Sequence, residues 1–213
     1  MGTDGYLHIV AQNPSTNVYT SARLKTQGLF SFQYGRIEFR AMVPEAQGFW
    51  PANWLLGNNI ATVSWPACGE MDVLERVNAA GNPPNNQGSP LDWNAGSIHG
   101  PGFTGGSGLG QIFDFPSGQT AGSAFHTYDM IWKPGSIQYF IDDPGTFTNP
   151  YASFTPANMT SGMTWPFDNG QANFIILNLA IGGSWPGPPN NTTPFFPSQP
   201  SEMLLDYVRI YTN

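Results

Sequence analysis

Glycine and proline recur so often along this chain that most helical windows are broken. There are 25 glycines and 20 prolines among 213 residues. Proline removes a helix donor and clashes with the preceding turn, and glycine costs backbone entropy. Between these breaks lie short apolar or alternating runs bounded by turn residues, the pattern of β-strands. We place such runs at 5–11, 19–26, 35–43, 52–56, 70–77, 96–99, 127–132, 136–142, 173–181 and 203–211. In 35–43, Ile37, Phe39, Ala41 and Val43 fall on one face and Arg36, Glu38 and Arg40 on the other. Lys133-Pro134-Gly135 reads as a hairpin turn. Residues 173–181 are almost continuously apolar, which suits a strand covered on both sides. Many short strands with Gly- and Pro-rich turns predict an all-β sandwich or barrel, one domain over 1–213. Long loops at 57–69, 79–95, 100–124 and 144–170 are expected to build a site on one rim or face.

Composition narrows the function. Hydrophobic residues make up 40% of the chain and aromatics 14%, enough for a large core and unlike a disordered segment. Only 10% of residues are charged. Asn, Ser, Thr and Gln do the solvating instead, and these side chains also hydrogen-bond sugar hydroxyls. A formal net charge of −7 with seven basic residues disfavours nucleic acid and polyanionic polysaccharides. A neutral polymer fits better. Cys68 is the only cysteine, so no internal disulfide forms, and a small buried residue is expected there. Neither a signal peptide nor a membrane span is evident. No membrane partner is expected, and the chain is expected to be a monomer.

The informative segment is Gly69-Glu70-Met71-Asp72-Val73-Leu74-Glu75. In a regular strand residues 70, 72 and 74 share a face and Glu75 points away. One extra residue in a β-bulge resets the parity and returns Glu75 to the side of Glu70 and Asp72. Three acids would then line one face. Like charges at close range push one pKa up. A retaining glycosidase uses such a pair, one carboxylate attacking the anomeric carbon and one carboxyl protonating the leaving oxygen. An exposed acidic strand edge, or a cation site, accounts for the spacing equally well.

The flanking residues add to this. Trp65-Pro66-Ala67-Cys68-Gly69-Glu70-Met71-Asp72-Val73-Leu74-Glu75 resembles the signature of glycoside hydrolase family 16, and in particular its laminarinase branch. Tyr34-Gly35-Arg36-Ile37-Glu38, Gly48-Phe49-Trp50-Pro51-Ala52-Asn53-Trp54, Ser97-Ile98-His99-Gly100 and Leu177-Asn178-Leu179-Ala180-Ile181-Gly182-Gly183-Ser184-Trp185 also resemble the family, in its order. The resemblance implies a β-jelly-roll sandwich of two curved antiparallel sheets with a concave substrate cleft. It implies endo-hydrolysis of a β-1,3-containing glucan by a secreted enzyme that needs no cofactor for catalysis. By position Glu70 matches the nucleophile, Glu75 the acid/base and Asp72 the assisting acid. The likeness begins near Asp4-Gly5-Tyr6-Leu7, where family members usually begin several tens of residues earlier. The missing strands would leave a sheet edge unpaired and remove part of a structural calcium site, to which Asp206 corresponds.

Further candidates follow for sugar binding. Trp65, Trp54, Trp50 and Trp185 offer broad apolar faces for pyranose stacking, although Trp50 and Trp54 also suit a core. His99 matches the family histidine beside the catalytic strand. Arg23 could reach a sugar hydroxyl, and Asn178 interrupts an apolar strand where a buried amide needs partners. His8, His126, Trp93, Trp132 and Trp165 are read as packing or loop residues. Rival readings are a mixed-linkage β-glucanase or another family-16 hydrolase, and a non-catalytic β-glucan receptor. Retention of both glutamates argues against the receptor. A metal-dependent hydrolase lacks a ligand pattern beyond His99 and Asp72.

Overall fold

The structure is a computed structural model that describes residues 3–77, 92–195 and 201–212. The expected loop at 79–95 therefore falls largely outside the described residues. The strands are β1 (Leu7–Val10), β2 (Gln12–Ser15), β3 (Val18–Thr20), β4 (Arg23–Lys25), β5 (Gly35–Met42), β6 (Phe49–Gly57) and β7 (Glu70–Glu75). Then come β8 (Trp93–His99), β9 (Leu109–Asp114), β10 (His126–Lys133), β11 (Ser136–Ile141), β12 (Ala152–Phe154), β13 (Asn173–Ile181) and β14 (Glu202–Tyr211). The one α-helix among the described residues is the single turn α1 (Ile60–Val63).

Two six-stranded antiparallel sheets result. The first runs β1-β14-β5-β10-β11-β12 and the second β4-β13-β6-β7-β8-β9. They stack as a β-jelly-roll sandwich, and β2 pairs with β3 as a separate ribbon. The alternation of β5 explains its placement. Ile37, Phe39 and Ala41 are fully buried between the sheets, whereas Arg36 pairs with Glu38 and Asp129 on the opposite face. From the second sheet Leu55, Met71, Val73, Leu74 and Ile98 complete the core against Tyr128, Met130 and Trp132 of the first. Cys68 is buried, as expected.

Three differences from the sequence reading stand out. The expected strand at 19–26 splits into β3 and β4. The loop at 100–124 contains β9, and the loop at 144–170 contains β12. Both added strands pair at a sheet edge, β9 with β8 and β12 with β11.

The centre of the second sheet is held from behind. Gly96 of β8 faces the core, where a Cβ would lie 2.6 Å from Tyr151 Oη and 2.9 Å from the Tyr139 ring. Two aromatic rings thus press on bare backbone beneath β7 and β8. Gly96→Ala is expected to destabilise the fold by about 1–3 kcal/mol through overpacking. Guanidinium unfolding checks this; an unchanged midpoint would contradict the close packing.

Candidate active site

β7 carries one residue more than its neighbours need. On one side Asn53 pairs with Leu74 and Trp54 with Asp72. On the other, Asp72 pairs with Ser97 and Glu75 with Ala95. Val73 and Leu74 therefore stand opposite the single Gly96, which is a β-bulge. Both of these apolar side chains enter the core. Alternation then resumes with Glu75 on the outward face.

Cross-strand partners share a face, so the pairing maps what lies around the acids. One rung runs Arg23, Asn178, Ala52, Glu75 and Ala95. The next runs Lys25, Ile176, Trp54, Asp72 and Ser97. A third holds Leu56, Glu70 and His99. Trp50, two residues before Ala52 on β6, extends the same face beyond Glu75.

Each glutamate accepts a hydrogen bond from an indole. Trp65 Nε1 donates to Glu70 Oε2 at 2.8 Å, and Trp50 Nε1 donates to Glu75 Oε1 at 3.1 Å. Between them the Ser97 hydroxyl donates to Asp72 Oδ2 at 2.9 Å. His99 Nε2 lies 3.2 Å from Asp72 and 3.9 Å from Glu70. The His99 ring is backed by Gly108, where a Cβ would lie 2.2 Å from Cε1. Farther along, Trp54 Nε1 donates to Asn178 Oδ1 at 2.9 Å, and the Arg23 guanidinium sits over the Trp54 ring at 5.4 Å. Arg23 and Asn178 also line a recess of about 260 Å³ with Tyr19 and Ser21.

Beyond Glu75 the face ends in aromatics. Trp185 meets Trp50 edge-to-face, with centroids 5.3 Å apart, and leans on Trp93. The Gly- and Pro-rich loop that carries Trp185 is fastened to the start of β6. Gln47 Nε2 donates to the carbonyls of Pro186 and Pro188.

The electrostatics follow from this enclosure. Burial pushes the Glu70 carboxyl up to about 8, reinforced by the charge of Asp72; His99, Trp65 and Arg23 oppose it. Burial also raises Asp72 to about 7 against the Ser97 hydrogen bond. Glu75 is raised to about 8, first by burial and then by Asp72, with Trp50 opposing. Three acids that titrate together share their protons, so the cluster remains partly protonated near neutrality. A site holding one charged and one neutral carboxyl can attack and donate a proton in one step.

The site brings together nine sequence candidates: Glu70, Asp72, Glu75, Trp65, Trp54, His99, Trp50, Arg23 and Asn178. Trp185 forms its rim. Ser97 was not singled out, although its parity with His99 on β8 places it on this face. The packing residues fall as read: Trp93 and Trp132 are fully buried, His8 contacts Asp4 and Glu202, and His126 contacts Asp142. Asp206 stands apart, paired with Arg40 at 2.5 Å. Among the described residues, Glu70, Asp72 and His99 form the one group of three with metal-ligand potential, their donor atoms within 4.8 Å.

The raised acids link stability to pH. Folded Glu75 keeps its proton to about 8, while an unfolded glutamate releases it near 4.5. Between these values the folded state binds more protons, so this group's contribution to stability falls as pH rises. Glu75→Gln is therefore expected to change stability little at about pH 4 and to stabilise progressively toward about pH 8. Melting curves of both proteins across that window test this. A difference that does not vary with pH would refute the raised Glu75.

Comparison with known proteins agrees with the geometry. The sequence profile of glycosyl hydrolases family 16 matches residues 4–195. The chain is 36% identical to a beta-glucanase of Rhodothermus marinus, over 91% of this chain and 62% of that one. It is 32% identical to glucan endo-1,3-beta-glucosidase A1 of Niallia circulans, over 98% of this chain and 30% of that one. It thus spans under two thirds of the length of these curated relatives. Among solved structures, the laminarinase catalytic domain of Thermotoga maritima MSB8 superposes with a TM-score of 0.84 at 34% identity, covering 100% of this chain and 80% of that one. The chain belongs to glycosyl hydrolase family 16 and resembles its laminarinases.

Proposed function

We propose that this chain hydrolyses internal β-1,3 bonds of a neutral, laminarin-like glucan with retention of configuration. The observation that carries the reading is the bulge at Val73 and Leu74, which sets Glu70, Asp72 and Glu75 on one face. Glu70 attacks the anomeric carbon and forms a glycosyl ester. In the same step Glu75 gives its proton to the departing glycosidic oxygen. Water then attacks the ester as Glu75 takes its proton, and Glu70 leaves as carboxylate.

The surroundings support this division of labour. Burial raises both glutamates to about 8 and each receives an indole N–H, but the Arg23 charge opposes the rise at Glu70. Glu75 lies beside Asp72 and under Trp50, where burial favours the proton. Asp72, held by Ser97 and His99, supplies the charge that keeps its neighbour protonated. The exposed indole face of Trp65 and the cluster of Trp50 and Trp185 bracket the acids, as stacking platforms for successive sugars would. Polymeric substrate also favours action outside the cell.

Glu70→Gln and Glu75→Gln are each expected to lower turnover on laminarin by about three orders of magnitude with the fold intact. Circular dichroism and initial rates check this, and either variant retaining most activity would overturn its role. The pH dependence of kcat/KM is expected to be bell-shaped, set by the coupled acids. Product analysis on laminarin, lichenan, curdlan and agarose tests the linkage. Cleavage confined to lichenan would replace the β-1,3 assignment with a mixed-linkage one.

A further inference from the structure

We propose that Asn94 is the residue that locks the β7 bulge and thereby aims Glu75. The inference rests on the assignment of Glu75 as acid/base. A bulge sets two residues against one and breaks the ladder on that side. Buried backbone groups freed in this way need other partners. Here the freed groups include the Val73 carbonyl and the Glu75 N–H. The Asn94 side chain takes both: Glu75 N donates to Asn94 Oδ1 at 3.1 Å, and Asn94 Nδ2 donates to Val73 O at 3.2 Å.

Asn94 is itself fixed. It is fully buried on the core side of β8. Its Nδ2 also lies 3.1 Å from the Ala95 carbonyl and from Tyr151 Oη, so three acceptors share its two N–H groups. The amide therefore has its acceptor and donors all engaged, and it cannot rotate without breaking several bonds. The Glu75 N–H it holds is one bond from the Cα that carries the catalytic side chain. Holding that N–H and the Val73 carbonyl fixes the local dihedrals, and these set the direction in which Glu75 leaves the strand. The neighbouring Gly96 has no side chain to interfere. Asn94 touches no substrate-facing atom, so it is a positioning residue.

The experiment compares Asn94→Ala, Glu75→Gln and Tyr151→Phe. Without the amide, Glu75 is free to turn from its enclosed position, and its pKa relaxes toward the ordinary carboxylate range. For Asn94→Ala, kcat on laminarin is expected to fall about 100-fold, within the usual contribution of a general acid, with KM little changed. The alkaline limb of the pH profile moves to lower pH. The loss shrinks on an aryl β-glucoside whose leaving group needs no proton. Tyr151→Phe removes one bond to Asn94 but leaves the bulge bonds, and the alkaline limb stays in place. An unmoved alkaline limb in Asn94→Ala, with equal losses on both substrates, overturns the proposal. Full activity in Glu75→Gln overturns the underlying assignment instead. If Asn94→Ala does not fold, amide exchange in the unaltered protein decides. The Glu75 N–H is expected to be protected like its paired neighbours, and rapid exchange there overturns the proposal.

Discussion

The fold and the site meet at one surplus residue. A strand has a period of two, so six residues from Glu70 to Glu75 would ordinarily send the two glutamates to opposite faces. The bulge absorbs the mismatch. Val73 and Leu74 both sink into the core, and the three acids emerge together. The site is thus stabilised by hydrophobic burial of its own strand. The same register that puts Leu74 between the sheets puts Glu75 outside them.

The charge pattern of the chain gives this arrangement its chemical character. Elsewhere among the described residues the buried acids Glu38 and Asp129 share Arg36, and the partly buried Glu45 faces the fully buried Arg76. On β7, among the described residues, the ion-pair partner of Glu70 and Asp72 is His99. Neutral donors otherwise hold the acids: two indoles and a hydroxyl. Neutral donors orient a carboxylate without fixing it in its charged form as firmly as a guanidinium would. That leaves the protons free to redistribute during a reaction.

Much of this was legible in the sequence, and the illegible parts have physical reasons. The strand at 173–181 coincides with β13 because Phe174, Ile175, Ile176 and Leu179 are buried, on both faces of the strand, and make the run almost continuously apolar. The alternation in β5 was clear because one face is core and the other is an ion-pair row. β9 was hidden because its edge position leaves Leu109–Asp114 without alternating burial. β12 is too short to carry a period. At the site, Glu70, Asp72, Glu75 and His99 were visible as local motifs. The contact between Arg23 and Trp54 was not, since it depends on β4 pairing with β13, about 150 residues away in sequence. Asn94 gave no sign of its role, because a single polar residue in a strand looks the same whether it faces solvent or a broken ladder.

The loop bearing Trp185 hangs from Gln47, at the entrance to β6, and makes its backbone contacts with that part of the chain. The strand that carries the acids lies between β6 and β8 in the same sheet. Rim and acids therefore hang on one shared strand, with Trp50 touching both Trp185 and Glu75. A displaced rim loop has a two-step route to Glu75 through Trp185 and Trp50, so on a scaffold of this kind the reach of the rim and the aim of the acids are tuned together.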